Sequence, residues 1–126
     1  MTTKSNFTFL AERWPVLAQL GMLAEKNIHE DSNTTLIKLG MFAENLVKYM
    51  FAYDNLEEPV DGSLVNRINI LRRNDLLLPD ICDILYALRT KRNVAAHEAY
   101  ASEHDARQLT KLAFKLGIWF MQTYGD

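Results

Sequence analysis

A chain of 126 residues, 48% of them hydrophobic, is long enough to bury one core and too short for two comfortable domains, so a single domain over 1–126 is expected. Its 14 Lys+Arg against 16 Asp+Glu leave a formal net charge of −2, which argues against wholesale electrostatic binding of nucleic acid. The single cysteine, Cys82, excludes an intrachain disulfide and a cysteine-built zinc site. No apolar run approaches the roughly 20 residues that span a bilayer, and "MTTKSNFTF" has no long apolar leader core, so the expectation is a cytoplasmic protein with no membrane partner.

The periodicity is helical almost throughout. Trp14, Leu17, Gly21, Ala24 and Ile28 recur every three or four residues and predict a first helix over about 14–29, with Pro15 tolerated in its first turn. Asp31 or Ser32 can cap a second helix over about 32–53, whose stripe runs Leu36, Leu39, Ala43, Leu46, Met50, Tyr53 and is widened by Ile37, Val47 and Phe51. The acidic loop "DNLEEPVDG" follows, and Ser63 then caps a shorter helix carrying Leu64, Ile68 and Leu71 that ends at Asn74 and Asp75. Pro79 starts a fourth helix lined by Ile81, Ile84, Leu85 and Leu88. Ser102, with Asp105 three residues on, resembles a capping box for a fifth helix marked by Leu109, Leu112, Ala113, Leu116, Trp119 and Phe120, with Gly125 as its stop.

No segment alternates with period two, so the fold class is all-α, an antiparallel bundle of four to five helices. The wide stripe on the second helix suggests a homodimer interface, although any one of its residues is more simply core. Met22, Met41, Met50 and Met121 read as core filler, and Glu25 with Lys26 and Glu44 with Lys48 as surface pairs. His29 and His104 flank helix ends among acidic neighbours, and no metal site is assigned.

The chemistry concentrates in "KRNVAAHEAY", residues 91–100. Charge is also redistributed toward it: residues 1–63 hold five basic and nine acidic side chains, whereas 64–98 hold six basic and four acidic. A neutral His97 could take the proton of a ribose 2′-hydroxyl while Arg92 neutralises the phosphate and Asn93 orients either group. Arg72, Arg73, Arg89 and Lys91 are the candidate nucleic-acid contacts. Asn93 and His97 share a helical face, but Arg92 and His97, five residues apart, point about 140° from each other on a regular helix, so convergence needs a break or a long reach. The plainer reading has Asn93 and His97 bonding helix ends and Arg92 pairing Glu98 or Asp83. Small-anion binding through Arg92 and Arg89 without chemistry is a third.

"RNVAAH" resembles the Arg-x(4–6)-His signature of the HEPN superfamily. Over nearly the whole chain, Ser5 to Asp126, "SNFTFLAERWPVLAQL", "NTTLIKLGMFAENLVKYMFAY", "INILRRNDLLLPDICDILYALRTKRNVAAHE" and "KLGIWFMQTYGD" resemble the N-terminal helical domain of type I restriction R-subunit-like proteins. That resemblance implies a HEPN-like bundle, part of a larger DEAD-type helicase and endonuclease that uses ATP and magnesium on DNA with restriction-modification subunits. The chain itself has no phosphate-loop motif and no restriction-nuclease cluster, so no cofactor is expected for it alone. Two functions stay open: an interaction and dimerisation module with a polar Arg92–Asn93–His97 site, or a metal-independent ribonuclease in which His97 and Arg92 of facing copies cut RNA to a 2′,3′-cyclic phosphate.

Overall fold

The computed structural model describes residues 5–125. Residues 1–4, which open the stretch read for a leader, and Asp126, where the resemblance ends, lie outside the described residues. A 3₁₀ turn at Thr8–Leu10 is followed by α1 (Pro15–Lys26), α2 (Ser32–Tyr53), α3 (Leu64–Arg73), α4 (Pro79–Glu98) and α5 (Glu103–Tyr124). Among the described residues there is no strand, as the absence of period-two alternation predicts.

Helix α2 is the hub, packing against each of the other four helices. Contacts between ends fix the directions. Trp14 at the start of α1 bonds Tyr53 at the end of α2, and Asn33 at the start of α2 reaches residues 95 and 100 at the end of α4. Tyr124 at the end of α5 reaches Asp54. Thus α1 and α4 run against α2 and α5, and the short α3 packs beside α2 and α4 within the connection between them.

The caps work as their residue types dictate. Asp31 accepts from the Thr34 N–H (3.1 Å), Ser63 from Asn66 N–H (3.3 Å) and Ser102 from Asp105 N–H (3.1 Å), each satisfying a backbone donor that the first helical turn leaves over. Pro79 occupies the first turn of α4. Helices α2 and α3 end alike: Asn55 (φ 54°) and Asp75 (φ 57°) turn left-handed, and the next residue's N–H returns to the carbonyl five back, Leu56 to Phe51 (2.9 Å) and Leu76 to Leu71 (3.0 Å). Helix α1 stops at Lys26, short of the expected 29, and the Asn27 side chain at its end donates to the Leu23 carbonyl (2.8 Å).

The segment before α1, to which the sequence assigned no element, is core: Phe7 and Leu10 are 0% exposed, and a Cβ on Gly21 would stand 2.3 Å from the Phe7 ring. Two expectations need correction. Glu25 does not simply face water beside Lys26; it accepts from the Ser5 hydroxyl, the Asn6 N–H (3.2 Å) and the Asn6 side-chain amide (3.0 Å), fastening that segment. Met50 is buried, but Met22 (42%) and Met41 (37%) are exposed, since they follow the outer edge of the helical stripes rather than the centre. The buried Thr35 hydroxyl of α2 is satisfied by the Ala24 carbonyl (2.7 Å).

Candidate functional site

Helix α4 runs unbroken through the polar stretch to Glu98 and ends on Ala99 in the left-handed region (φ 51°, ψ 32°). Arg92 and His97 therefore stay about 140° apart around one regular helix. Arg92 lies on the side toward α2. Its stem crosses α2 at Gly40, where a Cβ would stand 2.1 Å from Arg92 Cγ, so a side chain at position 40 would shut the crossing. The guanidinium then reaches Glu44, with Nη1 to Oε2 at 3.1 Å, and Nε donates to Asn93 Oδ1 at 3.3 Å. Glu44 also faces Lys48 (Nζ to Oε1, 3.6 Å), so one carboxylate serves two cations. The partner of Arg92 is therefore Glu44, neither Glu98 nor Asp83.

His97 is exposed, and among the described residues its ring makes no hydrogen bond or ion pair. Within one chain the structure joins Arg92 and Asn93 and leaves His97 separate. The end of α4 is instead held by Asn33, whose side-chain amide donates to the carbonyls of Ala95 (2.9 Å) and Tyr100 (2.8 Å), supplying a partner for a helix-end carbonyl.

Lys91 is committed as well. Its ammonium pairs with Asp105 Oδ2 (2.9 Å) and lies 5.1 Å from the centre of the Tyr100 ring, while the Tyr100 hydroxyl donates to the same Asp105 oxygen (2.6 Å). The Tyr100 hydrogen bond, then the Lys91 ammonium, hold the Asp105 carboxyl below its usual range, and the hydrogen bond to Asp105 holds Lys91 above its own. Asp105 does not complete the capping box reciprocally; it turns to this network.

Of the other candidates, Arg72 and Arg73 are exposed on the last turn of α3, where cations favour the helix dipole, and Arg89 is half-buried. Arg72 is close enough to act on the Cys82 thiol, which burial pushes up regardless. An open groove of about 360 Å³ lined by Asp80, Asp83, Ile84, Ala87, Leu112 and Lys115 lies between α4 and α5 and contains none of the candidate residues. Among the described residues no three His, Cys, Asp or Glu side chains could hold a metal ion together. No helix is long and apolar enough to cross a membrane among those residues.

Sequence reasoning missed Glu44, Asn33, Asp105 and Tyr100 as supports of the polar stretch. The available signal was Gly40, an interior helical glycine that marks a close approach.

Comparison with known proteins adds a family. The chain is 32% identical over 120 residues to the "Type I restriction enzyme EcoKI endonuclease subunit" of Escherichia coli (strain K12), a stretch that is 95% of this chain and 10% of the relative. The chain thus spans about a tenth of the relative's length. No solved structure matches it. A family described as a domain of unknown function, DUF4145, matches residues 23–122, and by that match the chain belongs to the DUF4145 family.

Proposed function

We propose that this chain is a helical interaction module of a type I restriction R-subunit-like protein, HEPN-like in its bundle and folded as one domain, and that Arg92, Asn93 and Glu44 form a structural and docking site rather than a catalytic one. The observation that carries this reading is the engagement of Arg92: its guanidinium is partly neutralised by Glu44 at 3.1 Å and braced by Asn93. A phosphate would have to compete with that carboxylate, and a general base at His97 would act from another face of the helix. Similarity to a restriction endonuclease subunit supports restriction-modification subunits as partners and a cytoplasmic setting, and ATP and magnesium belong, in this proposal, to the full-length protein outside this chain. A homodimer packed on α2 and α4 fits the exposed Met41 and the small, exposed Ala96. DNA or RNA contacts through Arg72, Arg73 and Arg89 belong to the same proposal.

The test is cleavage of mixed single-stranded RNA in EDTA, with sedimentation of the same samples. The module reading expects a folded dimer that leaves RNA intact. Cleavage with cyclic-phosphate ends, lost in both His97→Ala and Arg92→Ala, would replace it with the metal-independent ribonuclease, the two faces then meeting across copies.

A further inference from the structure

At the end of the bundle remote from α4's C-terminus, α1 begins and α2 and α5 finish, and their last aromatic residues form an ordered stack. The Trp14 indole N–H donates to the Tyr53 hydroxyl at 2.8 Å, and the Tyr124 hydroxyl donates to Asp54 at 2.6 Å. The Tyr53 ring stacks with Tyr124 (centroids 5.6 Å, 21° between planes) and Tyr49 (6.4 Å, 22°). Burial and the Asp54 charge push the Tyr124 hydroxyl well above the usual phenol range, so it remains a donor through neutral pH.

Trp14 is 1% exposed, but Tyr53 is 47% exposed. A half-open ring already fixed by a hydrogen bond and two stacked neighbours loses little freedom when something covers it, which is the property of an interface anchor. Ring faces are electrostatically negative. The chain that follows adds carboxylates: Glu57 and Asp61 are exposed in the loop after Tyr53, Asp61 accepting the Ser63 N–H (3.1 Å) through Oδ1 only, whereas Glu58 pairs with Arg67 (2.9 Å). One cation is accommodated here from within, the Arg13 guanidinium 5.6 Å from the centre of the Trp14 ring.

We propose that Tyr53, with Tyr124 beside it and Glu57 and Asp61 in the adjoining loop, is a docking surface for a basic segment of a partner protein, whose arginine or lysine side chains lie on the exposed ring and pair with the carboxylates. The surface is some distance along α2 from Arg92. Failure here leaves the reading of Arg92 untouched, because that reading is tested by cleavage and assembly.

The experiment follows the Trp14 indole resonance of the ¹⁵N-labelled chain, identified by its loss in Trp14→Phe, during titration with a capped 12-residue peptide of alternating Arg and Gly. The expected result is a saturable shift of that resonance, with the Asn33 side-chain amide at the far end unmoved. Glu57→Gln with Asp61→Asn, both in the loop, should weaken binding about fivefold at low salt. Tyr53→Leu, which keeps apolar bulk, should abolish the shift while leaving the fold's other resonances in place. A peptide of alternating Glu and Gly binding equally well, the absence of any Trp14 shift, or a 12-nucleotide oligouridine displacing the basic peptide would each overturn the proposal.

Discussion

Residues 5–14 lie ahead of the first predicted helix, yet Phe7, Leu10 and Trp14 continue its three-and-four spacing backward, and Phe7 and Leu10 are 0% exposed and Trp14 1%. Residues 91–100 hold the densest set of chemical groups in the chain, yet only Ala95 among them is buried. The family match begins at residue 23, so the first stretch lies outside it and the second inside. The likeness to the restriction subunit nevertheless covers 95% of the chain and most buried residues lie within 23–122, so the difference is one of role: the first stretch adds rings to the core, and the second carries polar groups on its surface. An aromatic ring in an irregular segment closes the core between α1, α2 and α5, with edge contacts from Phe7 to Phe42 (5.5 Å) and Phe114 (6.0 Å).

The largest effect should come from removing that ring. Phe7→Ala takes a fully buried aromatic from a site lined by Gly21, Phe42 and Phe114, and is expected to cost about 3–5 kcal/mol in urea unfolding. His97→Ala, by contrast, should stay within about 0.5 kcal/mol. Equal losses for the two would break the comparison. A chain beginning at residue 23 should not fold cooperatively, since it also lacks Leu10, Trp14 and Leu17, all buried.

Next in size is Gly40→Ala, where two effects oppose each other. Helix propensity favours alanine by about 1 kcal/mol. The new Cβ, however, meets the near end of the Arg92 stem, 2.1 Å from Cγ and 2.4 Å from Cβ, which cannot swing aside as a side-chain tip could. The clash should win, with a net loss of about 1–2 kcal/mol. In an Arg92→Gly background, which removes both Cγ and Cβ, the same substitution should become stabilising, and only a crossing at Gly40 produces that reversal of sign, whereas Arg92→Ala keeps its Cβ 2.4 Å away and should leave part of the loss. A loss unchanged by Arg92→Gly would show that α4 does not cross there.

Helices α2 to α5 were legible because each combines a cap residue with a three-and-four stripe, and their observed limits follow those residues: Asp31, Ser63, Pro79 and Ser102 at the starts. The 3₁₀ turn is the exception: Phe7 and Leu10 continue the spacing of Trp14, Leu17 and Gly21 backward, so their burial is signalled, but Pro15 marks the start of α1 only after them. The candidate site was legible as a set of residue types but not as an arrangement. Spacing warned that Arg92 and His97 diverge on a helix, yet nothing in it could say that Glu44, 48 positions earlier, would hold the guanidinium. Glu44 at four residues from Lys48 explained itself locally, and a local explanation hides a long-range one.

A smaller and opposite effect is expected at the end of the polar stretch. Ala99 stops α4 in the left-handed region, where a Cβ crowds the backbone at a cost of about 1–2 kcal/mol and glycine is unstrained. Glycine's greater freedom in the unfolded chain returns part of that gain. Ala99→Gly should therefore raise the thermal midpoint by about 2–4 °C, making the neighbourhood of His97 one of the few places where a simple substitution improves the fold. A lower midpoint would mean that the strain at Ala99 is offset by contacts its methyl makes.

The smallest effect is the one that ties the polar stretch to α5. Asp105 is held below its ordinary carboxyl value of 3.8 first by the Tyr100 hydroxyl and then by Lys91, so its contribution is complete above the unfolded value and is lost as pH falls through the lowered folded one. Lys91 is held above 10.5, so its contribution is complete below that value and is lost as pH rises through the raised one. Between these limits the network adds a constant amount, modest because the Lys91 side chain is 37% exposed and water screens the pair. The difference in stability between the wild type and Asp105→Asn should be flat near neutrality and shrink at both extremes. Asp31, lowered by Thr34, titrates in the same acid range, so the carboxyl signals must be followed separately by NMR. Tyr100→Phe removes the larger cause and should raise the Asp105 midpoint toward 3.8 more than Lys91→Gln does. The reverse order would make the ion pair, rather than the hydroxyl of Tyr100, the group that fastens the exposed end of α4 to the buried frame behind it.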